Sequence, residues 1–206
     1  IKHSKKAIKF YQASSSEMFG GSSVELLNEN SVFDSKSPYG ASKVFAHEIT
    51  KIYRDSYNLF GVNGILFNHE SPLRGETFVT RKITKAVGRI SAGIQSKLTL
   101  GNLDASRDWG FAKDYVRGMW LMMQHEQPED WVLATGVTKT VREFAEQAFS
   151  YVNLNWEDYV ISSEKYFRPN EVDYLLGDSS KARKQLSWEP SVDFKGLVQI
   201  LSLIHI

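Results

Sequence analysis

Residues 7–14 are AIKFYQAS, residues 39–60 are YGASKVFAHEITKIYRDSYNLF, and residues 62–68 are VNGILFN. The first and last of these segments are short and apolar without a helical period, which predicts two buried strands. The middle segment has apolar residues at spacings of three and four, which predicts a helix that Gly61 ends. Its stripe consists of Ala41, Val44, Phe45, Ile49, Ile52 and Tyr53. Strand, helix and strand in this order predict a right-handed crossover in a parallel sheet.

The rest of the chain continues the alternation of helices and strands. Apolar periodicity predicts helices over residues 79–94 and 113–125, and short strands over residues 98–100 and 131–135. A capping box at residues 140–143 predicts a further helix, with four side chains turned inward: Val141, Phe144, Ala148 and Phe149. One stripe of the 113–125 helix is predicted to be core: Tyr115, Val116, Met119, Trp120 and Met123.

The amino-acid composition limits the classes of protein to which the chain can belong. Of the 206 residues, 42% are hydrophobic, and twelve Phe, nine Tyr and five Trp supply a core for one domain, or one domain plus a small lobe. A net charge of +1 gives no general attraction to nucleic acid or membranes. The absence of cysteine excludes disulfides, thiol nucleophiles and cysteinyl metal sites, and no apolar run has the length of a membrane span. We therefore expect a soluble cytoplasmic protein without a metal site.

Two groups of polar residues are candidates for catalysis. Tyr39 and Lys43 are four residues apart on the predicted helix and so share a face, where an ammonium favours the phenolate form of a nearby tyrosine. Three serines at residues 14–16, followed by Glu17, come after the first predicted strand, at the end where reactive groups of parallel sheets gather. Each group also has a plain structural explanation: a solvated pair on a helix for the first, and hydroxyls that satisfy turn donors for the second.

Residues 11–20 and 37–43 together resemble the extended branch of the short-chain dehydrogenase/reductase family, which acts on nucleotide sugars. Residues 68–75, NHESPLRG, and residues 78–84, FVTRKIT, resemble the GDP-mannose 4,6-dehydratase family more specifically. The likeness extends over about residues 9–198.

The sequence departs from the pattern of that family in two places. Ser15 stands where the family usually has Thr, which keeps the hydroxyl and drops a methyl group. Leu73 stands where the family usually has Arg, which removes one charge but spares Arg74. No Gly-rich turn follows a strand. The first half of the dinucleotide-binding sheet is therefore expected upstream of Ile1, and the isolated chain is expected to be inactive.

The resemblance implies an α/β fold, with the C-terminal portion of a Rossmann-type, doubly wound parallel sheet and a small mixed α/β substrate-binding lobe. Residues 1–75 would be the second part of the dinucleotide-binding domain. Residues 76–206 would be mostly the nucleotide-sugar-binding lobe, with about residues 111–150 returning to the sheet. The resemblance also implies NADP as the cofactor and a homo-oligomer, either a dimer or a tetramer.

The resemblance further implies roles for individual residues. The catalytic residues would be Ser15, Glu17, Tyr39 and Lys43. The cofactor would be bound by Lys43, His69 and Arg74. The substrate would be bound by Asn68, Lys82, Arg107, Arg168 and Glu171.

The activity that the resemblance implies is that of a lyase. It would convert GDP-mannose to GDP-4-dehydro-6-deoxymannose by internal hydride transfer through NADP, towards GDP-fucose and related deoxysugars. Two alternatives stay open: a dehydratase or epimerase of another nucleotide sugar, and a non-catalytic protein that only binds a sugar nucleotide. The nucleotide base that the pocket prefers would distinguish an enzyme for GDP-mannose from one for another nucleotide sugar. A Gly-rich turn upstream would distinguish an enzyme from a protein that only binds a sugar nucleotide.

Overall fold

The computed structural model describes residues 8–21, 26–167, 170 and 172–205. In chain order, these residues form β1 Phe10–Ser15, α1 Pro38–Tyr57, β2 Gly61–Leu66, β3 Asn68–Glu70, α2 Val79–Ser91, β4 Leu98–Leu100, β5 Ser106–Phe111, α3 Ala112–Gln124, β6 Asp130–Leu133, β7 Thr138–Thr140, α4 Val141–Ser150, β8 Val160–Ser162, α5 Ser180–Leu186 and α6 Phe194–Leu203. Short 3₁₀ helices cover Ser16–Met18, Trp156–Asp158 and Glu164–Tyr166.

Strands β1, β2 and β6 form a parallel sheet in the order β1-β2-β6. Ser15 lies opposite Leu66, and Leu66 lies opposite Leu133, so the carboxyl ends of the three strands meet at one edge. The predicted parallel crossover from β1 through α1 to β2 is confirmed. Among the described residues β1 has a neighbouring strand on one side only, and Phe10 is 40% exposed. The prediction of a buried strand is therefore wrong for most of β1, in which only Ser14 is buried.

The remaining strands of the described residues form two further small sheets. After a single residue, Phe67, the chain continues from β2 into β3, which pairs in parallel with β5. The other side of β5 pairs antiparallel with β7, with Arg107 opposite Lys139. Strand β4 pairs in parallel with β8. This arrangement brings Asn68 and Arg107 towards the carboxyl ends of β1 and β2.

Helix α1 has a well-defined beginning and end. The Ser37 hydroxyl accepts the backbone N–H of Gly40 at 3.0 Å, and Pro38 takes the first helical position. Asn58, with φ of 50°, ends the helix in the left-handed conformation that asparagine tolerates. The prediction that Gly61 ends this helix is wrong, because Gly61 is the first residue of β2.

The packed face of α1 is not its apolar stripe. The buried residues of the helix are Gly40, His47 and Thr50. Phe45, in the middle of the stripe, is 70% exposed, and the other exposed members are Ala41, Ile49, Ile52 and Tyr53. The periodicity therefore located the helix but marked its outer face.

Helix α3 is rotated relative to its predicted orientation. Tyr115 is buried as predicted, but Val116 and Trp120 are 60% and 61% exposed, so the prediction that they belong to the core is wrong. The physical reason lies at Gly118, where an added Cβ would lie 2.4 Å from Leu133 Cδ1. The helix packs against the sheet through this glycine, which turns its larger neighbours outward.

Helices α2, α4 and α6 pack around a second core. The capping box of α4 is confirmed, and all four of its predicted inward residues are buried. Helix α2 ends earlier than predicted, because Gly93 adopts a left-handed φ of 70° and Ile94 turns out to solvent. Across the described ranges, the search for a helix long and apolar enough to cross a membrane finds none.

Candidate active site

A cleft of about 1000 Å³ opens at the carboxyl ends of β1 and β2. Residues from distant parts of the chain line it. Those predicted from the sequence are Ser15, Glu17, Tyr39, Lys43, Asn68, His69, Arg74 and Arg107. The fold thus gathers at one place the residues that the sequence motifs singled out separately.

The two serines that end β1, Ser14 and Ser15, are bonded to the protein as well as lining the cleft. Ser15 Oγ accepts the backbone N–H of Glu17 at 3.2 Å and so caps the 3₁₀ turn that carries this carboxylate. The Ser14 hydroxyl lies 3.0 Å from His47 Nδ1. The hydroxyls of Ser14 and Ser15 therefore have partners within the protein, as the structural explanation of these serines predicts. Because a hydroxyl also donates, Ser15 keeps a hydrogen that can point into the cleft.

Tyr39 and Lys43 lie on the first turns of α1, at the mouth of the cleft. Lys43 Nζ lies 5.5 Å from the centre of the Tyr39 ring and donates to the Ala13 carbonyl at 2.8 Å. Tyr39 itself is 54% exposed. The ammonium is thus anchored to β1 and kept beside the phenol.

Glycine at position 40 allows the helix to approach the turn that carries Glu17. A Cβ added at Gly40 would lie 2.7 Å from the carbonyl oxygen of Glu17 and 2.9 Å from Ser35 Cβ. No larger residue fits there without moving the backbone. The close approach fixes how far the backbone of Glu17 lies from α1.

His69 presents a neutral ring to the cleft. Its Nδ1 lies 2.8 Å from the carbonyl oxygen of Phe67, which only accepts, so Nδ1 carries the hydrogen and Nε2 is left as an acceptor. The ring stacks on Tyr115 with centroids 4.8 Å apart. Burial lowers the pKa of His69 and the positive charge of Arg74 adds to that effect, against the opposing hydrogen bond to Phe67.

Arg74 is fixed by a buried carboxylate. Its Nε lies 3.0 Å from Glu70 Oε2 in an ion pair, and that oxygen accepts a hydrogen bond from Thr80 Oγ1 at 2.7 Å. The guanidinium lies 3.5 Å above the Phe78 ring. Burial raises the pKa of Glu70, which Arg74 and Thr80 partly offset. Leu73, which departs from the family pattern, is 93% exposed, so the missing charge belongs to the surface.

The predicted substrate contacts are placed less uniformly. Arg107 is 8% exposed, lines the cleft and donates to the Ser106 carbonyl at 2.9 Å. Lys82 is absent from the cleft lining. Its Nζ donates to the Thr99 carbonyl at 2.7 Å and lies 5.0 Å from the ring centre of Tyr166, which does line the cleft. Arg168 and Glu171 lie outside the described residues.

Sequence reasoning missed several residues of the site. The unpredicted lining includes Lys36, Phe78, Tyr166 and Asn170. Lys36 directly precedes the Ser-Pro-Tyr motif, which was a usable signal. His47, beneath the cleft, follows Tyr39 and Lys43 at the same spacing of four and was the clearest signal left unused.

A family model described as GDP-mannose 4,6 dehydratase matches residues 1–201 of the chain. GDP-mannose 4,6 dehydratase 1 of Arabidopsis thaliana is 58% identical over 95% of this chain and 54% of its own length. GDP-mannose 4,6 dehydratase of Homo sapiens is 48% identical over 97% of this chain and 58% of its own length. The chain thus spans between half and three fifths of these relatives.

Solved structures share the fold at low sequence identity. RMD from Pseudomonas aeruginosa complexed with NADPH superimposes with a TM-score of 0.88 at 18% identity, covering 98% of this chain and 67% of that one. The dTDP-glucose 4,6-dehydratase from Bacillus anthracis in complex with NAD gives 0.82 at 21% identity, covering 94% and 60%. The predicted fold, a Rossmann-type α/β fold with a parallel sheet, is confirmed.

Proposed function

The chain belongs to the GDP-mannose 4,6-dehydratase family, and on that premise we propose that the protein containing it converts GDP-mannose to GDP-4-dehydro-6-deoxymannose, towards GDP-fucose and related deoxysugars. One observation carries the proposal: Ser15, Glu17 and Tyr39, with Lys43, line a single cleft. A hydroxyl, a carboxylate, a phenol and an ammonium supply the proton transfers that oxidation and dehydration require.

The cofactor of this reaction is NADP, which supplies the hydride acceptor and donor when bound. The residues on this chain fit a dinucleotide, since Lys43 and Arg74 offer positive charge and His69 offers a neutral acceptor along one wall of the cleft. Lys43 and Arg74 are each fixed by a protein partner, so they present preorganised donors to ribose and phosphate oxygens. The nicotinamide dinucleotides in the two structural relatives support the assignment.

Two carbon centres of the sugar are served by different elements of the fold. Tyr39 on α1 takes the proton of the sugar 4-hydroxyl, and the ammonium of Lys43 lies 5.5 Å from the centre of its ring. Glu17, on the turn after β1, takes the proton from carbon 5 once carbon 4 is a ketone. The Ser15 hydroxyl assists the departure of water from carbon 6. The Gly40 contact keeps the base on the helix and the carboxylate on the turn in one geometry.

The nucleotide half of the substrate is held by residues that follow β2 in the chain. Arg107, buried and fixed on β5, binds the pyrophosphate together with Arg168, since guanidinium matches phosphate with parallel donors. The remaining proposed contacts are Asn68, Lys82 and Glu171. In this division, residues 1–75 belong to the dinucleotide-binding domain and residues 76–206 mostly to the substrate lobe, with β6 returning to pair with β2.

The functional unit is a homo-oligomer in the cytoplasm. The exposed apolar stripe of α1, centred on Phe45 and Ile49, is a helix face that monomeric proteins rarely leave in water. Pairing of two copies of α1 about a twofold axis would bury the stripe against itself. The cytoplasmic location stays a prediction from the cysteine-free composition.

The test is turnover by the full-length protein. Purified protein with NADP should convert GDP-mannose to a product lighter by one water, identified by mass spectrometry. Thermal shift with GDP, UDP and dTDP should show stabilisation by GDP above the others. Turnover of a UDP- or dTDP-sugar in preference to GDP-mannose would contradict the substrate assignment.

A further inference from the structure

Beneath the cleft, a chain of buried polar side chains connects β1, α1 and β6. The Ser14 hydroxyl lies 3.0 Å from His47 Nδ1, and His47 Nε2 lies 3.5 Å from Asp130 Oδ2. Ser14 is 4% exposed and His47 is 2% exposed. The ring of Phe33 packs edge-on against the imidazole at 5.0 Å. Buried polar groups are destabilising unless they are hydrogen-bonded, so this chain is a fixed connection among three elements.

The carboxylate of Asp130 decides how the chain is oriented. Arg54 donates to Asp130 Oδ1 at 2.9 Å, and Asn63 donates to the same oxygen at 2.8 Å. Burial acts to raise the pKa of Asp130, but the bonds from His47, Arg54 and Asn63 outweigh it and hold that pKa well below its usual range. An ionised carboxylate only accepts, so it favours the hydrogen on His47 Nε2. Nδ1 is then the acceptor for the hydroxyl of Ser14.

The spacing along α1 ties this chain to the catalytic residues. His47 is four residues beyond Lys43, which is four residues beyond Tyr39, so the three side chains share one face of the helix. Lys43 Nζ donates to the carbonyl of Ala13, and His47 bonds the next residue of the strand, Ser14. Consecutive turns of α1 are thus bonded to consecutive residues of β1.

We propose that His47 is a positioning residue that fixes the register of α1 along β1. The inference rests on the proposed function, in which Tyr39 on α1 and Glu17 beyond β1 act on the same sugar. Without the bond to Ser14, the register on this face depends on the bond from Lys43 to Ala13 and on the packing of Gly40 against Glu17. A displacement of about 1 Å between reacting groups lowers a rate by up to roughly a hundredfold. Arg107, which we assign to the nucleotide, lies on β5 and pairs with β3 and β7, so nucleotide binding does not depend on this register.

Two substitutions of His47 separate its two contacts. In His47→Asn the shorter amide occupies the place of Nδ1 and accepts from Ser14, but it does not reach Asp130. In His47→Gln the longer amide occupies the place of Nε2 and keeps the contact to Asp130, but it gives up Ser14. In the full-length protein we expect His47→Gln to lower kcat roughly ten- to a hundredfold with KM for GDP-mannose unchanged. We expect His47→Asn to keep most of the wild-type kcat.

Thr50→Val is the matched control on the same buried face. Thr50 donates only within the helix, to the Ala46 carbonyl at 2.8 Å, so its loss should leave kcat unchanged. Hydrogen exchange at the amides of β1 and the first turns of α1 checks the register without turnover, and it should be faster in His47→Gln than in His47→Asn.

Equal kcat in the two His47 variants, or an equal loss in Thr50→Val, overturns the positioning role. If the wild-type protein does not dehydrate GDP-mannose, the proposed function fails on its own account. The exchange comparison still judges the inference in that case: equal exchange in the two variants overturns it, and faster exchange in His47→Gln supports it.

Discussion

Helices α1 and α4 both show an apolar stripe in the sequence, but only α4 buries it. The inward residues of α4 include Phe144, which is fully buried between Trp109 and Phe194. In α1 the stripe around Phe45 faces solvent, and the buried face carries His47 and other polar or small residues. The same pattern therefore marks the inside of one helix and the outside of the other.

The difference follows from what each helix must bury against. Helix α4 packs against the apolar core that it forms with α2 and α6, where the burial of apolar surface stabilises the contact. Helix α1 packs along β1 and β2, and its buried polar side chains are satisfied there: His47 bonds Ser14, and Thr50 bonds the backbone of Ala46. Its apolar residues are then left for the other side. An outward stripe on a helix with a polar inner face indicates a second interface.

The largest effect is expected on the inner face of α1. Tyr39→Phe removes the proposed base for the sugar 4-hydroxyl, which should lower the oxidation rate by about 10²–10⁴-fold. Single-turnover absorbance of the reduced nicotinamide should then show no rapid transient. Tyr53→Phe, on the outer face of the same helix, is the matched control and should behave as wild type. A normal transient in Tyr39→Phe would assign the base to another residue.

A substitution on the buried face of α4 should change the free energy of unfolding and not the catalytic rate. Phe144→Ala removes a ring with no exposed surface and leaves a cavity beside Trp109, which should lower the free energy of unfolding by about 3–5 kcal/mol. Glu146→Ala, on the exposed side of the same helix, should change it by less than about 0.5 kcal/mol. Denaturant titration of both variants measures the difference. Similar values for the two would mean that α4 is not packed as described.

The packed face of α4 could be predicted from the sequence, whereas the packed face of α1 could not. The α4 capping box and stripe are local signals, and both were sufficient because local and tertiary preferences agree there. For α1, periodicity gave the helix but not its packed face, since the partners of His47 are Ser14 on β1 and Asp130 on β6. Nothing local to α1 specifies contacts that arise only when the strands pair.

In the candidate site, too, the placement of some residues could be predicted from the sequence and that of others could not. Tyr39 and Lys43 could be placed together from helical geometry alone. The direction of Lys82 could not, because the Thr99 carbonyl that accepts its ammonium lies beyond the end of α2. Arg107 enters the cleft through the register of β5 with its neighbours, which the sequence of β5 does not encode by itself.

A smaller effect is expected from pH, through the anchor of α1 on β6. The pKa of Asp130 is lowered in the folded protein, so its carboxylate stabilises the fold above the pKa that it has when unfolded, near 4. That stability is lost as pH falls below about 4 towards the folded pKa, by about 1.4 kcal/mol for each tenfold difference in proton affinity between the folded and unfolded states. Asp130→Asn should therefore unfold with a flatter pH dependence over this acidic range. Equal slopes for wild type and variant, by denaturant titration, would show that Arg54 and His47 do not hold the carboxylate ionised.

The smallest effect on folding, and the sharpest on assembly, is expected at the outer face of α1. Phe45→Ala removes a ring that is 70% exposed in one copy, so the unfolding free energy of the monomer should change by less than about 0.5 kcal/mol. If two copies of α1 bury this stripe against each other, the same substitution removes apolar contact twice across the twofold axis and weakens self-association. Sedimentation velocity over a range of concentrations should then show dissociation of the variant where the wild type stays assembled. Val116→Ala, at a side chain that is 60% exposed on α3, is the control and should leave the assembly intact. Dissociation of the control with no effect of Phe45→Ala would place the interface on α3, and the outward stripe of α1 would then have no partner to explain it.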